Sequence, residues 1–387
     1  MARRVSPELA AARAAVDAAS ARARQAGALM NPTVSYAYEQ TSAGGQRNSQ
    51  SIAALEQPLE LTGVRSARHD AARLRQEAAE AELRAAEGQV GFEVTRAYAL
   101  AQAATERMAL ADRAATAFDR AQRVTGARLV AGDVSGYESR RIRLEGARYA
   151  ILRAEAALAR RTSYVALAVL VDASADSLAL SAMAPSESLP PAPPGISRDS
   201  ILALALRRRP ELLAADRQAT AALADARAAG RERIPVPIAL AGWKTERTTT
   251  GGARFDGFVA GISLPLPFWD RRGGAVAAAD ADARRRAAEV DIVRRRVARE
   301  VEEAYSALGA AEEEVARLSP ALGSEATAAL KAAETAYTEG EISLVEWLDA
   351  VRAYHEAESI FVMLRAELHV RRAALERATG GTLFEDR

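Results

Sequence analysis

Two periodicities of apolar residues alternate along the chain. Long stretches carry Ala, Leu and Val at helical spacing between Arg and Glu, and these are interrupted twice by short segments in which apolar and polar residues alternate. A helix is predicted over about 6–28, a strand over 33–40, a turn at Gly44-Gly45 and a second strand over 50–61. Val34, Tyr36 and Tyr38 fall on one strand face. After Thr62-Gly63 no proline occurs from Val64 to Val130, a helical pattern of roughly 65 residues and ~100 Å. The chain then turns at Gly132 and returns in a helix ending near Asp172. The same order follows again: a helix over about 199–231, strands over 237–246 and 255–268 around Gly251-Gly252, a turn at 270–274 and a second long helix. Phe258, Ala260, Ile262 and Leu264 share one face of the last strand, and Ser319-Pro320 predicts a break or kink in the second long helix.

Motifs confirm that the order is a duplication. Ser6-Pro7-Glu8-Leu9 answers Arg209-Pro210-Glu211-Leu212, Ala97-Tyr98 answers Ala304-Tyr305, and Gly132-Asp133-Val134-Ser135 answers Gly340-Glu341-Ile342-Ser343. The expected organisation is a first repeat at 1–172, a Pro-rich linker at 173–199, a second repeat at 200–381 and a tail at 382–387.

Composition narrows the function. The 387 residues hold 52 Lys+Arg against 51 Asp+Glu, and a net charge of +1 lacks the basic excess that a nucleic-acid partner requires. The absence of Cys excludes disulfides and thiolate chemistry. Few aromatics and much alanine favour long, closely packed helices over a bulky globular core. The longest apolar run, Tyr164 to Val171, is too short for a transmembrane helix. No phosphate-binding loop or nucleophile elbow appears, so neither enzyme activity nor a cofactor is expected. His69, His355 and His369 are dispersed and predict no metal site. Four short strands cannot close a barrel alone, but three chains would supply twelve, each long enough to cross a bilayer when tilted.

The Pro-Glu-Leu helix entries, the Asn31-Pro32 strand start, the strand ends LEQPLELTGVR and ISLPLPFWDRRGG, and the turn sequences ARLVAGDVSGYE and AYTEGEISLVEWLDA carry a resemblance. Over about residues 6–380 the chain resembles the TolC-like outer membrane efflux factors, above all the heavy-metal branch of CzcC and CusC type. The resemblance implies a mainly α fold with short β segments: a tandem-repeat protomer giving four strands to a trimeric outer-membrane β-barrel, continued by a long α-helical barrel through the periplasm. It implies an exit duct of a tripartite efflux pump for heavy-metal cations or small toxic compounds. The implied partners are two further copies in a homotrimer, a periplasmic adaptor, an inner-membrane transporter of the RND class and outer membrane lipid.

Site residues follow from the resemblance position by position. The hairpin turns, Val130, Ala131, Gly132 and Asp133 with Glu339, Gly340 and Glu341, match the adaptor-contact tips, although a plain helix–helix turn would use glycine in the same way. Glu346, Asp349 and Glu138 match acidic positions ringing the tunnel entrance, where threefold repetition would raise each carboxyl pKa; the alternative is a solvated acidic face. A latch arginine of the TolC branch is replaced by Ile342. Trp243, Phe255, Phe258, Phe268 and Trp269 fit an aromatic girdle at the lipid interface or, alternatively, core packing. Arg271-Arg272-Gly273-Gly274 reads as the junction from barrel to tunnel. Two other classes remain open at this stage: a soluble coiled-coil scaffold, which leaves the paired strands unexplained, and a periplasmic adaptor, which has one helical hairpin where this chain has two. With six residues before Pro7 against the apolar helical entry before Pro210, the N-terminus is expected to lack its first turns and an export signal.

Overall fold

A computed structural model describes residues 5–132, 134–174, 177, 197–248, 253–339, 341–381 and 383. The predicted linker lies largely outside the described residues, as do Asp133, Gly340 and the Gly251-Gly252 turn. The first copy contains α1 (Pro7–Ala26), β1 (Thr33–Ala43), β2 (Gln46–Pro58), α2 (Val64–Ala131) and α3 (Gly136–Val171). The second contains α4 (Arg198–Arg208), α5 (Pro210–Arg231), β3 (Ile238–Thr248), β4 (Arg254–Ser263), α6 (Gly273–Ser319), a π-helical turn (Pro320–Glu325), α7 (Ala326–Glu339) and α8 (Leu344–Thr379).

Several boundaries differ from the sequence expectation, each for a local reason. The helix expected over 199–231 is two helices, because Arg209 before Pro210 takes an extended ψ of 117°. The strand expected over 50–61 runs over Gln46–Pro58. Its polar start, Gln46-Arg47-Asn48-Ser49-Gln50, pairs with β1 through backbone hydrogen bonds that need no apolar side chain. The strand expected to reach 268 ends at Ser263, since Pro265 and Pro267 have no N–H for a ladder. A two-residue turn joins β1 to β2, and its Gly44 and Gly45 have φ of +60° and +81°, the conformation that favours glycine in tight hairpins.

Pro320 does not end the second long helix; it sits in a widened π-turn. Tyr98 answers Tyr305 and Ser135 answers Ser343, so the offset between copies rises from 207 to 208 within this stretch. A π-turn holds one residue more than an α-turn, and it absorbs that extra residue without breaking the rod. The removed Pro N–H and the looser turn fall at the same place.

Contacts divide the chain into two compact units, each drawing on both copies. The unit of Ala12–Leu83 with Glu211–Val293 holds the sheet, in the order β1-β2-β3-β4 with all neighbours antiparallel. Its helical core is largely alanine, including Ala71, Ala78 and Ala81 of α2 and Ala221, Ala224 and Ala228 of α5, and such small side chains let helices pack closely. The unit of Met1–Ala11, Arg84–Pro210 and Arg294–Arg387 holds both helical hairpin ends. Its core is bulkier, with Phe118, Ile142, Tyr149, Trp347, Leu348 and Val351 in one cluster.

Candidate functional site

The hairpin ends are built alike in the two copies. Gly132 follows α2 with φ +82° and donates its N–H to Leu129 C=O at 3.2 Å. Ser135 then caps α3: its Oγ accepts from Glu138 N–H at 3.2 Å, and the Glu138 carboxylate accepts from Ser135 N–H at 3.1 Å. Ser343 and Glu346 repeat this reciprocal box at the start of α8, with Ser343 N–H donating to Glu346 Oε2 at 2.7 Å and Ser343 Oγ at 2.8 Å. These bonds hold the Glu346 carboxyl below its usual range, the backbone N–H of Ser343 contributing most. That direction, within one chain, is opposite to the mutual repulsion expected around a ring.

Of the tip positions, Val130, Ala131, Gly132, Glu339 and Glu341 are exposed, Val130 at 91%. Glu341 N–H closes the second turn onto Ala336 C=O at 2.8 Å. Asp133 and Gly340 lie outside the described residues. Asp349 is exposed and pairs with Arg352 at 3.2 Å. Arg352 also pairs with Glu145 of α3, whose side chain is only 9% exposed, so a buried ion pair ties the two hairpins together. Phe118 and Tyr149 stack with centroids 4.5 Å apart, Trp347 stacks on Tyr337 at 5.3 Å, and Ile342 packs against the same cluster. Ile342 therefore fastens its turn by apolar packing, with no ion pair at that position. His355 meets Tyr149 edge-on at 5.5 Å, and burial together with Arg107 and Arg148 pushes its pKa below the usual imidazole value.

In the sheet, residues directly opposite one another share a face. The register aligns Tyr36, Ala53, Trp243 and Phe258 in one row, and Val34, Leu55, Ala241 and Ala260 in the next row of that face. Phe255 stands opposite Glu246, on the other face with Glu39 and Gln50. Three of the expected girdle aromatics thus separate into Trp243 and Phe258 on the apolar face and Phe255 on the polar one. Phe268 and Trp269 follow β4 and are exposed, Trp269 at 95%. None of the described helices is long and apolar enough to cross a membrane. Among the described residues no group of three or more His, Asp or Glu is placed to hold a metal ion.

A family model described as outer membrane efflux protein matches residues 1–171 and 201–381. The chain belongs to the outer membrane efflux protein family. The chain is similar to the cobalt-zinc-cadmium resistance protein CzcC of Cupriavidus metallidurans, at 25% identity over 96% of this chain and 86% of that one. Among solved structures it is similar to a membrane protein from Pseudomonas aeruginosa, with TM-score 0.79, 24% identity, 98% of this chain and 89% of that one. It is similar also to CusC, solved in a study of folding and transmembrane channel formation, with TM-score 0.77, 18% identity, 98% of this chain and 90% of that one. As a member of this family the chain is part of an outer-membrane efflux channel that reaches into the periplasm.

Sequence reasoning missed three elements of the efflux protein's site. The Ser-x-x-Glu pattern at Ser135–Glu138 and Ser343–Glu346 is a readable capping signal, and it gives both glutamates a structural task. Tyr36 completes the aromatic row, which a register alone reveals. The pair Glu145–Arg352 joins positions 207 apart in sequence and has no local signature.

Proposed function

We propose that three copies of the chain form the exit duct of a tripartite RND-type pump for divalent transition-metal cations. The observation that carries this reading is the sheet: β1 and β4 each have one unpaired edge, and one face of the four strands bears an apolar band. An open edge in water invites aggregation, and closing the sheet with two further copies removes every edge at once, β4 of one chain beside β1 of the next. β4 (Arg254–Ser263) is ten residues long, at most ~33 Å at strand spacing, and a tilt of ~40° makes this ~25 Å, the height of an outer-membrane apolar band. Trp243, Phe258 and Tyr36 then mark one interface, and Phe268 and Trp269 the other. Phe255, on the polar face, stands outside the girdle.

The exposed turns around Val130–Gly132 and at Glu339 and Glu341 are the surface offered to an adaptor. Glu138, Glu346 and Asp349 place anionic charge beside them, and the lowered pKa keeps Glu346 charged in the periplasm. The two repeats, 1–172 and 200–381, each supply one strand pair and one hairpin. The metal cargo is drawn from the similarity to CzcC. The test is complementation in cells that carry the matching transporter and adaptor but lack a duct. Restored zinc or cobalt tolerance with lowered cell-associated metal is expected, while unchanged metal content with the trimer present in the outer membrane refutes the metal assignment.

A further inference from the structure

Where the strands give way to the helices, the sheet-bearing unit encloses a cavity of about 440 Å³, within the ~300–1,000 Å³ of small-molecule pockets. Its polar lining is Glu60, Arg68, Glu232, Arg233, Asp270, Arg271 and Arg272, with Met30, Val64 and Leu266 among the apolar wall. Most of these charges are spoken for: Glu60 Oε1 pairs with Arg68, Glu232 with Arg272, and Asp270 Oδ1 accepts Arg272 N–H at 2.8 Å. Three kinds of group are left over, the first being Arg68 Nε, a buried donor without an acceptor that suits a phosphate or ester oxygen. The Glu60 side chain is only 4% exposed, yet its Oε2 has no hydrogen-bond partner, and a buried carboxylate oxygen without a donor is costly. Arg233 and Arg271 make no ion pair among the described residues and stand exposed at the cavity. Leu266 of the lining is exposed, and so are Leu61, Phe268 and Trp269, which adjoin lining residues in the chain; Phe268 and Trp269 meet edge-on at 6.1 Å.

A ligand matching this lining must carry an anion for two guanidiniums, an N–H donor for Glu60 Oε2, and an apolar body. We propose that the cavity binds the headgroup of a phosphoethanolamine lipid, its phosphate on Arg233 and Arg271 and its primary ammonium on Glu60 Oε2, with the acyl chains along Leu266, Phe268 and Trp269. The inference rests on the reading that the strands span the outer membrane, which puts this junction at the leaflet facing the periplasm. A purely anionic headgroup would meet the bare Glu60 oxygen, and a quaternary ammonium has no N–H to give it. A guanidinium gives a phosphate two parallel donors, and charge-assisted bonds of this kind are the stronger ones.

Native mass spectrometry of the detergent-solubilised full chain tests the site with dioctanoyl phosphatidylethanolamine, phosphatidylcholine and phosphatidylglycerol, and with soluble phosphoethanolamine. Phosphatidylethanolamine is expected to bind about tenfold more tightly than either other lipid, the worth of one charge-assisted bond to a buried carboxylate. Glu60→Gln is expected to bring phosphatidylethanolamine and phosphatidylcholine to equal affinity, and Arg233→Ala with Arg271→Ala to weaken all three lipids. The headgroup comparison on the unaltered chain keeps the test valid where Glu60→Gln unfolds through loss of its Arg68 pair. Equal affinity for the three lipids, absence of binding because a neighbouring chain fills the cavity, or equally tight binding of soluble phosphoethanolamine overturns the lipid site. Trimer state and outer-membrane fractionation are measured on the same samples: a trimeric membrane chain without lipid preference overturns this inference alone, whereas a soluble monomer overturns the membrane reading beneath it.

Discussion

The pair Glu145–Arg352 offers a quantitative test of how the hairpins are held. Glu145 is almost fully buried in α3, and Arg352 reaches it from α8 with two nitrogens, Nη2 to Oε1 and Nε to Oε2 at 3.4 Å. Breaking a fully buried pair costs about 3–5 kcal/mol, chiefly because the remaining charge is left without a partner. The Arg352 side chain is about a third exposed and retains Asp349, so water offsets part of that cost. Arg352→Ala strands the buried carboxylate and is expected to cost about 2–3 kcal/mol. Glu145→Ala leaves an arginine that can turn to solvent and Asp349, and about 1–2 kcal/mol is expected. The double variant removes both charges, so its cost falls short of the sum by a coupling of about 1–2 kcal/mol. Hydrogen-exchange mass spectrometry on peptides covering residues 140–150 and 345–356 reads the opening free energy of this segment directly, with no need for whole-protein two-state unfolding. Additive single-variant effects, with coupling below about 0.5 kcal/mol, would refute the reasoning and place the pair with ordinary surface bridges.

Three further outcomes are expected. Trp347→Ala, which empties the space between Phe118 and Tyr337, is expected to lower the stability of the hairpin cluster by about 3–5 kcal/mol, seen as lost protection near 342–351 and a weakened near-ultraviolet signal. Gly242→Ala places a methyl carbon 2.5 Å from Ala53 C=O and 2.9 Å from Ala54 Cα; backbone cannot yield as a side chain would, so a cost of at least ~2 kcal/mol and loss of the trimer on native electrophoresis are expected. The lowered pKa of His355 means that the unfolded chain binds a proton more readily than the folded one, so stability falls as pH drops below 6.5 toward the folded value. The opening free energy near Tyr149, taken from exchange rates corrected for the intrinsic pH dependence of amide exchange, should therefore fall between pH 7 and pH 5 in the unaltered chain and lose that dependence in His355→Gln.

Much of the fold is legible because the copies corroborate one another: Gly132, the strand pairs and the long proline-free stretch of α2 each have an answering segment. The start of β2 is not legible, since a run of polar residues at consecutive strand positions shows no apolar alternation while its backbone still completes the ladder. The acidic positions show a different gap. Glu138 and Glu346 can be read as cap residues from the serine three positions earlier, but whether a carboxylate also acts on passing ions depends on neighbours that one chain does not contain. Faces of the sheet become definite only with register: Phe255 and Phe258 look equivalent in a list of aromatics and point to opposite sides.

The π-turn at Pro320–Glu325 makes the two copies unequal in one respect. Each chain has one outgoing helix that is α-helical throughout and one with a wider turn at its proline. A closed ring of three chains would then present six hairpin ends of two alternating kinds, threefold in symmetry where the duplication alone promises sixfold. A partner that runs along all six hairpins would meet outgoing helices of two kinds in strict alternation, one of them carrying the wider turn.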